Sequence, residues 1–364
     1  MVQKKRHKSS MQERKKEVLE SLGHLGSGVY EQLDTGNFPS IDMPSRSTDN
    51  IMYDEQLRQF ILGDRRVHRS ARNISHVKPF TQLVWAALFS NELTSQRKTS
   101  TLRDVYYSAQ AYEMTFKDQQ ESNNIITDLE TILGFSREDF NIFPEERSAV
   151  FGDLTIEYTV PGYEGKTLDL TSHPDGVLIG PALTSSEFVR TSADKVIAIE
   201  KGGLFTRFIE ENVHKKYNSL LVLTAGQAPR ATRHFIRRLS EELNLPVFVF
   251  TDGDPWGMHI AMVIISGSAN AAHLRELNTP DAKWSGVWAT DIVNYKLPTD
   301  PLDEVDMKRL YELQKDPRYK DPLWRREIKT FMKIKRKAEQ EAFSRYGLTY
   351  IVDEYLPRKL EETK

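Results

Sequence analysis

The 364-residue chain contains no cysteine. That removes disulfides, thiolate zinc sites and cysteine nucleophiles together, so any metal must sit on oxygen or imidazole. No apolar run approaches the roughly 20 residues that cross a bilayer, and the opening MVQKKRHKSSMQERKK is followed by no apolar signal core. Both absences predict an intracellular, cytoplasmic protein with no membrane partner. An excess of one charge is missing too: 50 Lys and Arg face 52 Asp and Glu, a net of −2, so bulk charge advertises no nucleic-acid partner. A GxxxxGK[ST] phosphate loop does not occur, so a nucleotide-driven process would need a second polypeptide. What is present, 39% hydrophobic and 28% charged residues, fits a soluble globular protein, and the length predicts two cores with smaller appendages.

Residues 1–16 are basic and polar and lead into an amphipathic helix around Val18, Leu19 and Leu22. Recurrent glycine, proline and serine from Gly23 to Ser47 predict a loop or linker, closing an appendage of residues 1–70. In residues 71–160 a helix places Phe80, Leu83, Val84, Ala87 and Leu88 on one face. Thr101 with Asp104 three residues on predicts a capping box opening a second helix. Ile125, Ile126, Leu129, Ile132 and Leu133 mark a third. Strand material follows in FGDLTIEYTVPGY, and three short helices before a small β wing is the order of a winged helix-turn-helix domain, a DNA-binding module.

In the second helix, at about 100° per residue, Leu102, Val105, Tyr106 and Ala109 share the core side. Tyr107 falls opposite, and Arg103, four residues earlier, lies on the same outward strip. An exposed tyrosine beside an arginine is usually a surface contact. Chemically, however, a phenol can attack phosphorus and a guanidinium can grip phosphate oxygens in pairs.

Beyond residue 160 strands and helices alternate: KVIAIE, LFTRFIEENVHKKY, SLLVLTAG, ATRHFIRRLSEEL, PVFVFTDGD. This βαβαβ order predicts an α/β unit with a parallel sheet, whose strand carboxyl ends form the ligand-binding edge. Glu200, Asp252 and Asp254 all fall at such ends and can converge in space. Crowded carboxylates resist ionisation unless a hard cation such as Mg²⁺ neutralises them. Arg230, Arg233 and Arg237 share one helical strip, and Lys329, Lys333, Arg336 and Lys337 another, as solvated faces or phosphate contacts. His173, His214, His234 and His259 lack partners at metal-ligand spacing and read as structural or surface residues.

VIAIEKGG together with TDGDPWG resembles the Toprim domain of topoisomerases and primases. With LRDVYYSAQ upstream, and TAGQAPRATRHFIRRL, NAAHL, TPDAKWSGV and YKLPTDPL, the chain resembles the A subunit of archaeal type IIB DNA topoisomerase over most of residues 70–320. That family is kin to the transesterase that makes meiotic double-strand breaks. The resemblance implies an α/β and α+β multidomain chain: a winged-helix catalytic domain, then a Rossmann-like Toprim domain over residues 161–364 with a C-terminal helical extension. By motif match it assigns the nucleophile to Tyr107, the phosphate-binding arginine to Arg103 and the Mg²⁺ ligands to Glu200, Asp252 and Asp254. It further implies double-stranded DNA as substrate, an A-subunit homodimer, and an ATPase B subunit completing an A2B2 heterotetramer, with residues 1–70 as a B-subunit contact. The alternatives are a Toprim-type hydrolytic nuclease, a stand-alone break-forming transesterase and a noncatalytic DNA-binding scaffold. An Asp-x-Asp phosphatase fits less well, since DGDPW lacks the hydroxyl residue after the second acid.

Overall fold

The computed structural model describes residues 7–145, 147–274 and 276–363, with side chains of the first helix described from Glu13 onward; residues 1–6 of the basic tail lie outside the described residues. Among the described residues two large hydrophobic cores form, one from residues between Val18 and Ile142 and a larger one from residues between Ala149 and Leu360, beside a small separate cluster of Ala271, Leu274 and Leu277.

The first core begins with helix α1, His7–Asp34. It runs straight through the stretch expected to be a linker, and the chain then enters strand Ser40–Pro44. The physical reason is apolar spacing: Val18 and Leu22 are buried, and Leu25 and Val29 continue the same face. Gly23, Gly26 and Gly28 face open space, so each weakens the helix by only about 1 kcal/mol, which packing offsets. Helix α2, Ile74–Ser95, starts on the Asn73 side chain, which accepts from the Ser75 N–H. Phe80, Leu83 and Ala87 are buried as expected, but Leu88 is 64% exposed, because its position lies about 140° around the helix from Leu83. Helices α3, Leu102–Ala111, and α4, Gln119–Leu133, complete the core with Val105, Ala109, Ile125, Ile126 and Leu129. An antiparallel hairpin, Ile51–Asp54 with Gln59–Leu62, leaves this unit and docks on the larger one. There Asn278 Nδ2 donates to Gln59 Oε1 at 2.9 Å and the Arg318 guanidinium covers the Phe60 ring at 5.0 Å.

The larger core is built on a six-stranded sheet ordered Val177–Leu178, Ala149–Phe151, Ser219–Leu223, Lys195–Ile199, Val247–Phe250, Lys283–Gly286. The last four are parallel, and the first two pair antiparallel at one edge. Val196, Ile197, Ala198 and Ile199 are all buried, the continuous apolar run of a strand covered on both faces. The helix expected after it breaks at Asn212, left-handed at φ 55°, into Gly202–Glu210 and Val213–Lys216. The expected β wing is a correction. Ala149–Phe151 pairs with Ser219–Leu223 in this sheet, and Leu154–Glu157 joins a three-stranded sheet whose Leu154 and Ile156 pack into the same core. The boundary placed at residue 160 therefore falls inside the larger core; alternation alone cannot tell which core an apolar strand will join.

Both basic strips are also corrected. Helix Pro322–Ile334 ends before Arg336 and Lys337, which form a short strand against Asp300–Pro301. Helix Arg230–Leu243 turns its arginines inward. Arg230 Nη1 donates to buried Glu130 at 2.6 and 2.7 Å, Arg233 is buried, and Arg237 Nη1 donates to the Asn278 carbonyl at 2.6 Å. Glu130, on α4, also accepts from Arg137 and His273. Burial opposes its charge, but Arg137, His273 and Arg230 together outweigh burial and hold its carboxyl well below the usual range. This ion cluster locks the two cores together. Among the described residues no helix is long and apolar enough to cross a membrane.

Candidate active site

The tyrosine is placed by a helix start. Asp104 N donates to Thr101 Oγ1 at 3.0 Å while Thr101 N donates to Asp104 Oδ2 at 3.2 Å, the reciprocal cap expected from the sequence. With that start fixed, Val105 and Ala109 point into the core and Tyr107 outward, 53% exposed. Tyr106 is half-buried and meets Tyr107 edge to face at 5.3 Å. The Arg103 guanidinium lies 5.9 Å from the Tyr107 ring centre, and its Nη1 is 3.9 Å from Glu145. Both side chains are therefore displayed on one strip, as the wheel predicts.

The carboxylates gather at the carboxyl ends of two neighbouring parallel strands, where Ile199 is in register with Phe250. Asp252 N donates to Glu200 Oε2 at 3.0 Å. Asp252 Oδ1 accepts from Gln340 N at 3.0 Å, and Asp252 Oδ2 stands 3.2 Å from Lys201 Nζ. Asp254 caps helix Pro255–Ser266, its Oδ1 accepting from Gly257 N at 2.6 Å. Glycine is required there: a Cβ on Gly257 would lie 2.2 Å from the Asp252 carbonyl oxygen.

Burial, then the charge of Asp252, pushes the Glu200 carboxyl up to about 8. Burial also raises Asp252 to about 6 against the pull of the Gln340 N–H and Lys201, and raises Asp254. These are incompletely neutralised oxygen donors, and that chemistry suits a hard divalent cation. As the side chains lie, however, no three acidic or histidine groups among the described residues are arranged around one point to hold an ion. Asp254 is turned to its helix cap, and Lys201 faces Asp252. No hydrogen bond, ion pair or ring contact among the described residues links Tyr107 or Arg103 to Glu200, Asp252 or Asp254.

Three contributors escape sequence reasoning. Ala338 and Gly253 exchange backbone hydrogen bonds at 2.8 and 3.1 Å, clamping the acidic turn with a segment from near the end of the chain. Lys337 Nζ bonds Asp306 Oδ2 at 2.6 Å, and both residues act electrostatically on Asp254. Lys201 directly follows Glu200, and that adjacency was the one available signal. The clamp acts through main-chain atoms and carries no side-chain signature.

Residues 78–142 match the family described as "Type IIB DNA topoisomerase", and residues 195–360 match the Toprim domain that the A subunit of topoisomerase 6 shares with Spo11. Over 96% of the chain, it is 48% identical to 98% of the A subunit of type 2 DNA topoisomerase 6 from Methanothermobacter thermautotrophicus. The chain belongs to the family of topoisomerase 6 A subunits. Proteins of the same name from Archaeoglobus fulgidus and Haloarcula marismortui are each 38% identical, over 97% and 95% of this chain and 99% and 96% of their own lengths. Membership makes the chain an isomerase, the part of a type IIB topoisomerase that cleaves and rejoins DNA. The Toprim match also assigns the acid-bearing sheet to a domain type that binds divalent metal.

Proposed function

We propose that Tyr107 is the nucleophile that opens duplex DNA, with Arg103 as the phosphate grip and Glu200, Asp252 and Asp254 as the Mg²⁺ ligands. The observation that carries this reading is the display of Tyr107 and Arg103 on the outward strip of α3 while Val105 and Ala109 anchor the same helix in the core. The Tyr107 hydroxyl loses its proton and bonds to a backbone phosphorus; the bond to the 3′ oxygen breaks, and that oxygen takes up a proton. Protein is then joined to a 5′ end, and the phosphotyrosyl ester conserves the energy of the broken linkage for resealing. The Arg103 fork can donate in parallel to two oxygens of the same phosphate. Glu200, Asp252 and Asp254 would hold a divalent ion, which would supply Lewis-acid stabilisation of charge on the phosphate.

Helices α2 to α4 form the DNA-holding module, and the sheet that follows holds the metal. Because no contact among the described residues joins Tyr107 to the carboxylates, we read the working site as shared between two protomers, the tyrosine of one facing the acids of the other across the duplex. Two such sites cut opposite strands and open a gate for a second duplex. ATP is used by a partner B subunit in an A2B2 assembly associated with the nucleoid, and residues 1–70 offer it a contact. Incubation with DNA, Mg²⁺ and the B subunit, followed by denaturation, is expected to leave protein covalently attached to 5′ ends. Cut DNA with free 5′ phosphates would mean hydrolysis and overturn the transesterase reading.

A further inference from the structure

Lys201 ends the loop before helix Gly202–Glu210 and caps nothing with its side chain. Instead its Nζ stands 3.2 Å from Asp252 Oδ2 and 2.9 Å from Glu339 Oε2, bridging the acidic turn to the clamp segment. The two ends of the bridge are unlike. The Asp252 side chain is 8% exposed, and its other oxygen is committed to Gln340 N. The Glu339 side chain is 65% exposed and free to turn with the ammonium it holds. The clamp does not need this bridge, because the Gly253 and Ala338 main chains and Gln340 N already secure it.

We propose that Lys201 is a resident cation on Asp252 that a divalent ion must displace, with Glu339 as the carboxylate that draws the ammonium aside. The pair are positioning residues for metal loading, and the proposal rests on the reading of Glu200, Asp252 and Asp254 as metal ligands. With Oδ1 occupied by the Gln340 N–H, Oδ2 is the face of Asp252 open to a cation. An ammonium and a divalent ion repel each other strongly at contact distance, so both cannot remain on that oxygen. Lys201 thereby offsets part of the negative charge of the edge before the ion arrives and makes the ion exchangeable afterward. Glu339, through its closer contact, sets how readily the ammonium leaves.

The test is a Mn²⁺ titration of the full DNA-free chain, with free Mn²⁺ read by electron paramagnetic resonance and folding checked by circular dichroism. Lys201→Met removes the competing charge and is expected to tighten Mn²⁺ binding by about fivefold or more, whereas Lys201→Arg keeps the charge and stays near wild type. Glu339→Gln leaves the ammonium on Asp252 alone and is expected to weaken binding by a similar factor, but to change nothing further in the Lys201→Met background. A merely structural clip would weaken or leave unchanged the binding of Lys201→Met, and either result overturns the proposal. Should Lys201→Met fail to fold, tighter or unaltered binding by the exposed Glu339→Gln variant overturns it equally. Asp252→Asn separates the two readings. If it abolishes binding while the Lys201 and Glu339 variants bind as wild type, this inference alone fails; if it binds as wild type, the metal assignment fails and this inference with it.

Discussion

Tyr107→Phe is expected to abolish covalent attachment to DNA, lowering adduct formation by a factor on the order of 10⁴ or more, the scale on which removing a nucleophile acts. The substitution deletes one displayed hydroxyl and leaves the ring against Tyr106 and Arg103. Because Tyr107 is 53% exposed and the core side of α3 is untouched, stability should change by no more than about 0.5 kcal/mol. Tyr106→Phe is the matching control. Its ring is half-buried beside that of Tyr107, turned about 100° toward the core side of the helix, and adducts should form near the wild-type level. The measurement is the yield of protein-linked 5′ ends after denaturation, beside thermal unfolding of each variant. Wild-type yield from Tyr107→Phe, with loss in Tyr106→Phe, would move the nucleophile to the neighbour.

Loss of the charged oxygens should be nearly as severe. Asp252→Asn and Glu200→Gln keep the shape of the acidic turn, including an oxygen to accept from Gln340 N and Asp252 N respectively. Each replaces an ionisable oxygen donor of the proposed cation site by a neutral amide, and cleavage at limiting Mg²⁺ should fall by about 10² or more, recovering in part as Mg²⁺ is raised. Asp254 has two roles to separate, since its Oδ1 also caps helix Pro255–Ser266. Asparagine is as good a cap as aspartate, so Asp254→Asn isolates the charge, while Asp254→Ala also loses about 1 kcal/mol of helix stability. Normal cleavage by both Asp252→Asn and Glu200→Gln at limiting Mg²⁺ would show that these carboxylates are not the metal site.

Much of this architecture is legible in the sequence because it rests on local rules. The three buried parallel strands are continuous apolar runs, two of which lead into acids, and the capping box at Thr101 fixes the phase of α3, so the wheel places Tyr107 outward and Val105 inward. Errors fall where tertiary context decides. Glycines at 23, 26 and 28 resemble a linker, yet apolar residues at 18, 22, 25 and 29 find a partner face and carry α1 through them. Strand Ala149–Phe151 is as apolar as a wing strand needs to be, but its partner lies some 70 residues on, in Ser219–Leu223. Arg230 and Arg233 look like a solvated strip because nothing local announces Glu130, about 100 residues earlier, as the anion that Arg230 meets. The clamp on the acidic turn uses backbone atoms of Ala338 and Gln340, which any residue possesses.

The central claim is that the tyrosine and the carboxylates work together across two chains, and mixed dimers test it most directly. Tyr107→Phe protein and Asp252→Asn protein are each expected to leave supercoiled DNA uncut in the presence of Mg²⁺ and the B subunit. A mixed dimer pairs one intact Tyr107 with one intact Asp252 in a single composite site, while the opposite site lacks both. Mixing the two proteins, with subunit exchange verified by differently tagged chains, should therefore restore covalent attachment and single-strand nicks without double-strand breaks. Verified exchange with no nicking would contradict the account and place the complete site within one chain.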